Sequence, residues 1–129
     1  MSTAVTCTAL LGLLLFALGV NVSVTRGRVK KIGTVPNDPA DPLFKAVRAH
    51  GNTTEYAPML AVLMLYLGAR TPSEWILWTM IVVTACRYLI ALGMLISSTL
   101  DRPNPLRVVG ALGTYIGGLV LSIAALMTI

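Results

Sequence analysis

The chain is 129 residues long, with 56% of them hydrophobic, 12% charged and a formal net charge of +5. An ordinary soluble domain has about a quarter of its residues charged, so the deficit excludes a water-soluble core and points to an integral, multi-pass membrane protein forming one domain over residues 1–129. The basic excess is concentrated in Arg26, Arg28, Lys30 and Lys31, directly after an apolar run; there it reads as a topology signal beside a membrane surface, not as a nucleic-acid footprint.

The first helix is predicted over about residues 4–25, roughly long enough to span a hydrocarbon core of ~30 Å at ~1.5 Å per residue. Met1 to Asn21 carries no Lys or Arg, and the positive charge follows the apolar stretch. We therefore expect a retained helix and not a cleaved signal peptide. Gly33 to Pro42 (GTVPNDPADP) is rich in turn residues and forms a surface loop. A second helix follows over about 43–69. Its latter part, from Tyr56, is uncharged, whereas its first half contains Lys45, Arg48, His50, Asn52 and Glu55; that polar half is expected to face a protein interior, because polar groups facing lipid at depth are unfavourable. Pro72 and Ser73 suit the start of a third helix, about 74–100, with Trp75 and Trp78 at the membrane–water interface and Arg87 well inside. The turn Asp101 to Pro105 leads to a fourth, over about 105–128, with Arg107 near its start and Gly110, Gly113, Gly117 and Gly118 available for close helix packing.

The fold class is thus an all-α membrane protein, a four-transmembrane-helix bundle. Basic residues crowd the region between the first and second helices, while the Arg70 turn holds one. The positive-inside rule puts the first loop and the Arg102 turn on the cytoplasmic side. A chain this short encloses no wide pore alone, so a site of any size calls for an oligomer. Cys7 and Cys86 lie in separate apolar segments without metal-ligand spacing; neither a disulfide framework nor a metal site is expected.

Three features carry chemistry: the run Arg48 to Pro58 (RAHGNTTEYAP), Arg87 and Arg107. At about 100° per residue, Arg48, Asn52 and Glu55 fall within a stripe about 60° wide, which Lys45 and Met59 extend. A cation, an amide and a carboxylate so share one face of a helix entering the membrane. Arg87 offers Glu55 a partner from a neighbouring helix, and pairing relieves the ~2.5–3.5 kcal/mol of a lone mid-membrane charge. The simpler reading of this network is glue between helices. It holds more polar groups than pairing requires, and the set complements a hydrophilic molecule bearing both signs of charge, with arginines to take carboxylates.

The same run resembles the second-helix signature of the MAPEG family, membrane-associated proteins in eicosanoid and glutathione metabolism: an Arg, Asn four later, Glu three after that, then Tyr and Pro. The likeness extends over nearly the whole chain, in its length, four apolar segments, Pro-rich first loop and third-helix Arg, and it is greatest to bacterial members resembling microsomal glutathione transferases. It implies a homotrimer in the bacterial inner membrane, with glutathione as co-substrate between subunits near the cytoplasmic face and a lipophilic substrate arriving from the membrane lipids. Carried over, Arg48, Asn52, Glu55, Tyr56 and Arg87 would bind glutathione, and Arg107 would be the catalytic residue that stabilises its thiolate. A fixed cation in a low-dielectric site lowers a thiol pKa from about 8.5 and so supplies the nucleophile. Arg102 is near enough in sequence to share that role, and Arg26 or Arg28 matches a first-helix cation of the family. This sequence departs from the family at Ile90 and Met94, where members often carry polar side chains. The implied function is a glutathione-dependent transferase with lipid hydroperoxide peroxidase activity. The alternatives are a non-catalytic member that binds lipids or a partner, and a small multidrug transporter using Glu55.

Overall fold

The computed structural model describes residues 1–30, 33, 34 and 36–129. Lys31, the last residue of the basic cluster, lies outside them. The structure is four α-helices: α1 (Ser2–Arg28), α2 (Pro42–Gly68), α3 (Glu74–Ile96) and α4 (Pro105–Leu126). By length and composition α1, α3 and α4 are each able to cross a membrane. α2 is 27 residues long, as long as α1, but its first half carries the charges described above.

Local chemistry sets the helix ends. Asp41 caps α2 by accepting from the backbone N–H of Leu43 (2.7 Å) and Phe44 (3.4 Å), and Pro42 occupies the first helical position, where its missing N–H is not needed. Asn104 and Pro105 repeat this at α4, with Asn104 accepting from Leu106 N–H at 2.9 Å. α3 stops at Ile96, four residues before the expected end at Leu100. The sequence there is Ser97-Ser98-Thr99, poor helix formers whose hydroxyls compete for the backbone. Ser97 is extended and gives its carbonyl to Lys45 Nζ at 2.9 Å. Leu100 N–H then bonds Pro39 O at 3.0 Å, tying this turn to the first loop.

The chain runs up and down. Gly68, ending α2, sits on Ala4 of α1, and Gly19 of α1 sits beside His50 of α2. α2 packs against all three other helices, whereas α1 and α4 do not touch among the described residues. Both termini and the Arg70 turn share one end; the first loop and the Arg102 turn share the other. The α3–α4 seam is the tightest. A Cβ on Gly110 would stand 2.7 Å from the Cys86 carbonyl and the Ile90 nitrogen, and one on Gly113 or Gly117 would collide with Cys86 or Val83. These glycines bring the two backbones together. Gly118 faces away from the seam and has room, with Leu60 3.8 Å from a built Cβ.

The core has two parts. One joins Ala4, Cys7 and Leu11 of α1 to Leu60, Met64, Met80, Val83 and Leu121, and the other groups Leu14, Leu18, Ala49, Ile90, Ala91 and Met94. Three hydroxyls within the helices are satisfied locally: Thr84, Thr114 and Ser122 each donate to the carbonyl four residues back, which removes unpaired donors from lipid, whereas Thr8 Oγ1 of α1 is buried without a partner among the described residues. Large apolar side chains such as Phe16, Trp78, Leu112, Ile116 and Leu119 remain exposed around the outside, as a bilayer-facing surface requires.

Candidate functional site

The site is built where α2, α3 and α4 meet near the end that carries the basic residues. Arg87 is its buried centre, only 1% exposed. Its Nη2 donates to the Asn52 backbone carbonyl at 2.9 Å and to Asn52 Oδ1 at 2.7 Å, with Thr53 Oγ1 at 3.5 Å, the limit of a hydrogen bond. The guanidinium carbon lies 5.1 Å from the centre of the Tyr56 ring, within cation–π range. The expected Glu55–Arg87 ion pair does not form: Glu55 is exposed, and the neutral acceptors of Asn52 take the guanidinium instead. One turn of α2 thereby supplies carbonyl, amide and ring to a single cation. Arg87 Nε is buried without a partner among the described residues.

Two clefts lie along this part of α4, the first where it meets α3 and Asn52 of α2, the second between α2 and α4. The first, of about 330 Å³, is lined by Asn52, Ile90, Met94, Asn104, Arg107 and Tyr115, among others. Arg107 Nη1 donates to the carbonyls of Leu100 (3.0 Å) and Arg102 (3.1 Å), which anchors the guanidinium to the turn and leaves its other nitrogens without a protein acceptor among the described residues. The Arg107 stem lies against Gly93, where a Cβ would stand 2.9 Å from both Arg107 Cγ and its backbone nitrogen. Asn52 has given its oxygen to Arg87, so its two amide N–H donors remain for a ligand. Arg102 contributes only its carbonyl; its side chain is exposed and does not line this cleft.

The second cleft, of about 460 Å³, is lined by Glu55, Tyr56, Met59, Leu60, Leu63, Tyr115 and Leu119, among others. Tyr56 and Tyr115 meet here with ring centres 5.8 Å apart. Asn52, Tyr56 and Arg87 are thus in direct contact, Arg107 shares a cleft with Asn52, and Glu55 belongs to the neighbouring cleft. Arg48 is exposed and lines neither. His50 packs beside Gly19 in the α1–α2 seam, an interface position. Tyr115 and Asn104 were not among the sequence-derived candidates; the four-residue spacing of Arg107, Ala111 and Tyr115 along one side of α4 was the available signal for the first.

A polar stripe on α2, exposed at Arg48 and Glu55, a buried Arg held by Asn52 of that stripe, and an Arg at the start of α4 opening onto the same amide form an arrangement that a family model covers almost end to end. The MAPEG family model matches residues 4–127. The chain belongs to the MAPEG family. It is therefore a helical membrane protein of the family associated with glutathione and eicosanoid metabolism. No curated protein and no solved structure matches the chain. This MAPEG chain has an apolar α3 wall: Ile90 and Met94 are buried and line the Arg107 cleft, so the polar groups of that cleft come from α2, α4 and the turn before α4.

Proposed function

We propose that this MAPEG protein is a glutathione-dependent transferase that also reduces lipid hydroperoxides, with Arg107 stabilising the thiolate. The observation that carries the reading is the shared cleft of Asn52 and Arg107, in which an amide donor and a half-used guanidinium face one space walled by apolar side chains. A thiol placed there gives its proton to water, because the guanidinium favours the anion and the apolar wall weakens competing solvation. The thiolate sulfur attacks an electrophilic carbon; the new C–S bond forms as the leaving group departs with its electron pair, or as the π pair of an activated alkene shifts away and is protonated. Arg48, Asn52, Glu55 and Tyr56 would hold the carboxylates and ammonium of glutathione, and Arg87 would fix Asn52 and Tyr56 from behind.

Arg48 and Glu55 point out of the single chain on a helix that enters the membrane, where lipid is a poor environment for either. This supports a homotrimer in which a neighbouring subunit covers the stripe and the peptide part of glutathione lies between subunits. The first loop and site would face the cytoplasm of a bacterial inner membrane, and the lipophilic substrate would enter from the lipid. One specific observation favours a second reading, a non-catalytic member that binds lipids or a partner: the apolar wall of Ile90 and Met94. Thiol-dependent turnover of a lipophilic aryl halide separates the two. Under the transferase reading Arg107→Ala lowers kcat by about 100-fold, the scale of losing one oxyanion-type donor, while Arg48→Ala raises KM for glutathione. Absence of turnover together with measurable glutathione binding favours the non-catalytic member.

A further inference from the structure

Tyr115 is the one residue that, among the described residues, lines both the Arg107 cleft and the Glu55 cleft. On one side of it lie the polar groups of Asn52, Asn104 and Arg107. On the other lie Met59, Leu60, Leu63 and Leu119, with Glu55 at the wall. From Arg107 to Ser122, the far lining residue, the two clefts follow α4 for about 22 Å at ~1.5 Å per residue, and Tyr115 stands a little past halfway. The side chain is half exposed, and its ring rests on Tyr56, 5.8 Å between centres with planes at 51°. Tyr56 in turn stands in cation–π contact with Arg87, which is anchored on Asn52. The ring at the junction is therefore braced by the same network that holds the polar cleft.

We propose that Tyr115 is a specificity-determining residue: its braced ring stands between the two clefts along α4, confines the reacting electrophile to the Arg107 cleft, and makes compact lipophilic electrophiles the preferred substrate class over long-chain ones. The assignment rests on the thiol-transfer reading above. A short-tailed molecule fits within the ~330 Å³ beside Arg107, whereas a long tail must pass the ring to reach Leu119 and Ser122. The hydroxyl of Tyr115 has no part in this; the ring does the work.

The test uses the full-length protein in one detergent, glutathione, and two unsaturated aldehydes that differ only in tail length, crotonaldehyde and trans-2-hexadecenal, the second long enough to pass Tyr115, about 12 Å along α4 from Arg107 at ~1.5 Å per residue. Both react by conjugate addition: the sulfur bonds to the β-carbon, the C=C π pair moves toward the carbonyl, and the resulting enolate takes a proton from water. The readout is the kcat/KM ratio of long to short aldehyde in each variant, relative to the unmodified protein, so partition into micelles cancels. Tyr115→Ala should raise the ratio about tenfold and Tyr115→Trp should lower it, on the scale that hydrophobic pockets discriminate chain length; Tyr115→Phe should keep it. Equal ratios in the Trp and unmodified proteins, or a fall in the ratio for Ala, would overturn the assignment. If Tyr115→Ala does not fold, Phe and Trp decide it. Silence of the unmodified protein toward both aldehydes rejects the thiol-transfer reading itself, a result distinct from turnover whose tail preference ignores Tyr115.

Discussion

Asn52 is the residue on which the site turns. Its oxygen satisfies buried Arg87 and the residue also lines the Arg107 cleft, so stability and binding should separate in two substitutions. Asn52→Leu removes an acceptor from a buried cation and should destabilise the protein by about 1.5–3 kcal/mol, seen as a lower midpoint of thermal unfolding. Asn52→Asp keeps an acceptor for Arg87 and should unfold at or above the original midpoint, yet it replaces the amide donors with a negative charge and should abolish glutathione binding by calorimetry. Gly93 offers a third check. A side chain there meets the Arg107 stem and backbone, so Gly93→Val should shift Arg107 and reduce turnover as Arg107→Ala does. The spacing of Arg48, Asn52 and Glu55 made the α2 stripe legible in the sequence. The partner of Arg87 was not: charge suggested Glu55, but the register of α2 against α3 brings Asn52 to Arg87. Tyr115 lay outside any motif, and only the approach of α4 to α2 makes it part of the site.

At the scale of the helices, the small residues of α4 divide into those that touch α3 and those that do not. Gly117→Leu should force α3 and α4 apart and lower the unfolding midpoint or prevent assembly, since overpacking a tight seam costs about 1–3 kcal/mol or more. Gly118→Ala should be tolerated, because a methyl there meets only Leu60 at ordinary contact distance. Circular dichroism melts of the two variants in the same detergent check the pair. The sequence made the starts of α2, α3 and α4 readable, through the turn ending at Pro42, through Pro72-Ser73 and through the turn ending at Pro105. It misplaced the end of α3, because the apolar pattern continues to Leu100 while the backbone leaves the helix at Ser97 to serve Lys45 and the turn beneath Arg107.

At the scale of the whole molecule, the single chain is closed on the inside and incomplete on one side. Its apolar exterior suits lipid, but the exposed Arg48 and Glu55 do not. Light scattering of the solubilised protein should therefore give a trimer mass; a stable monomer would leave the stripe uncovered and contradict the proposed intersubunit site. Composition alone made the membrane class legible, and the family match covers the chain. The surface that would cover the stripe in the proposed trimer could not be read from the sequence, since it would belong to contacts between copies. The proposed ionisation of a bound thiol by Arg107 is tested most directly by the ultraviolet thiolate absorbance of glutathione titrated into the purified protein, read beside calorimetric binding. A saturable thiolate signal at neutral pH, abolished in Arg107→Ala while binding persists, is the expected result. Binding with no thiolate signal, or a signal unchanged in Arg107→Ala, would contradict it.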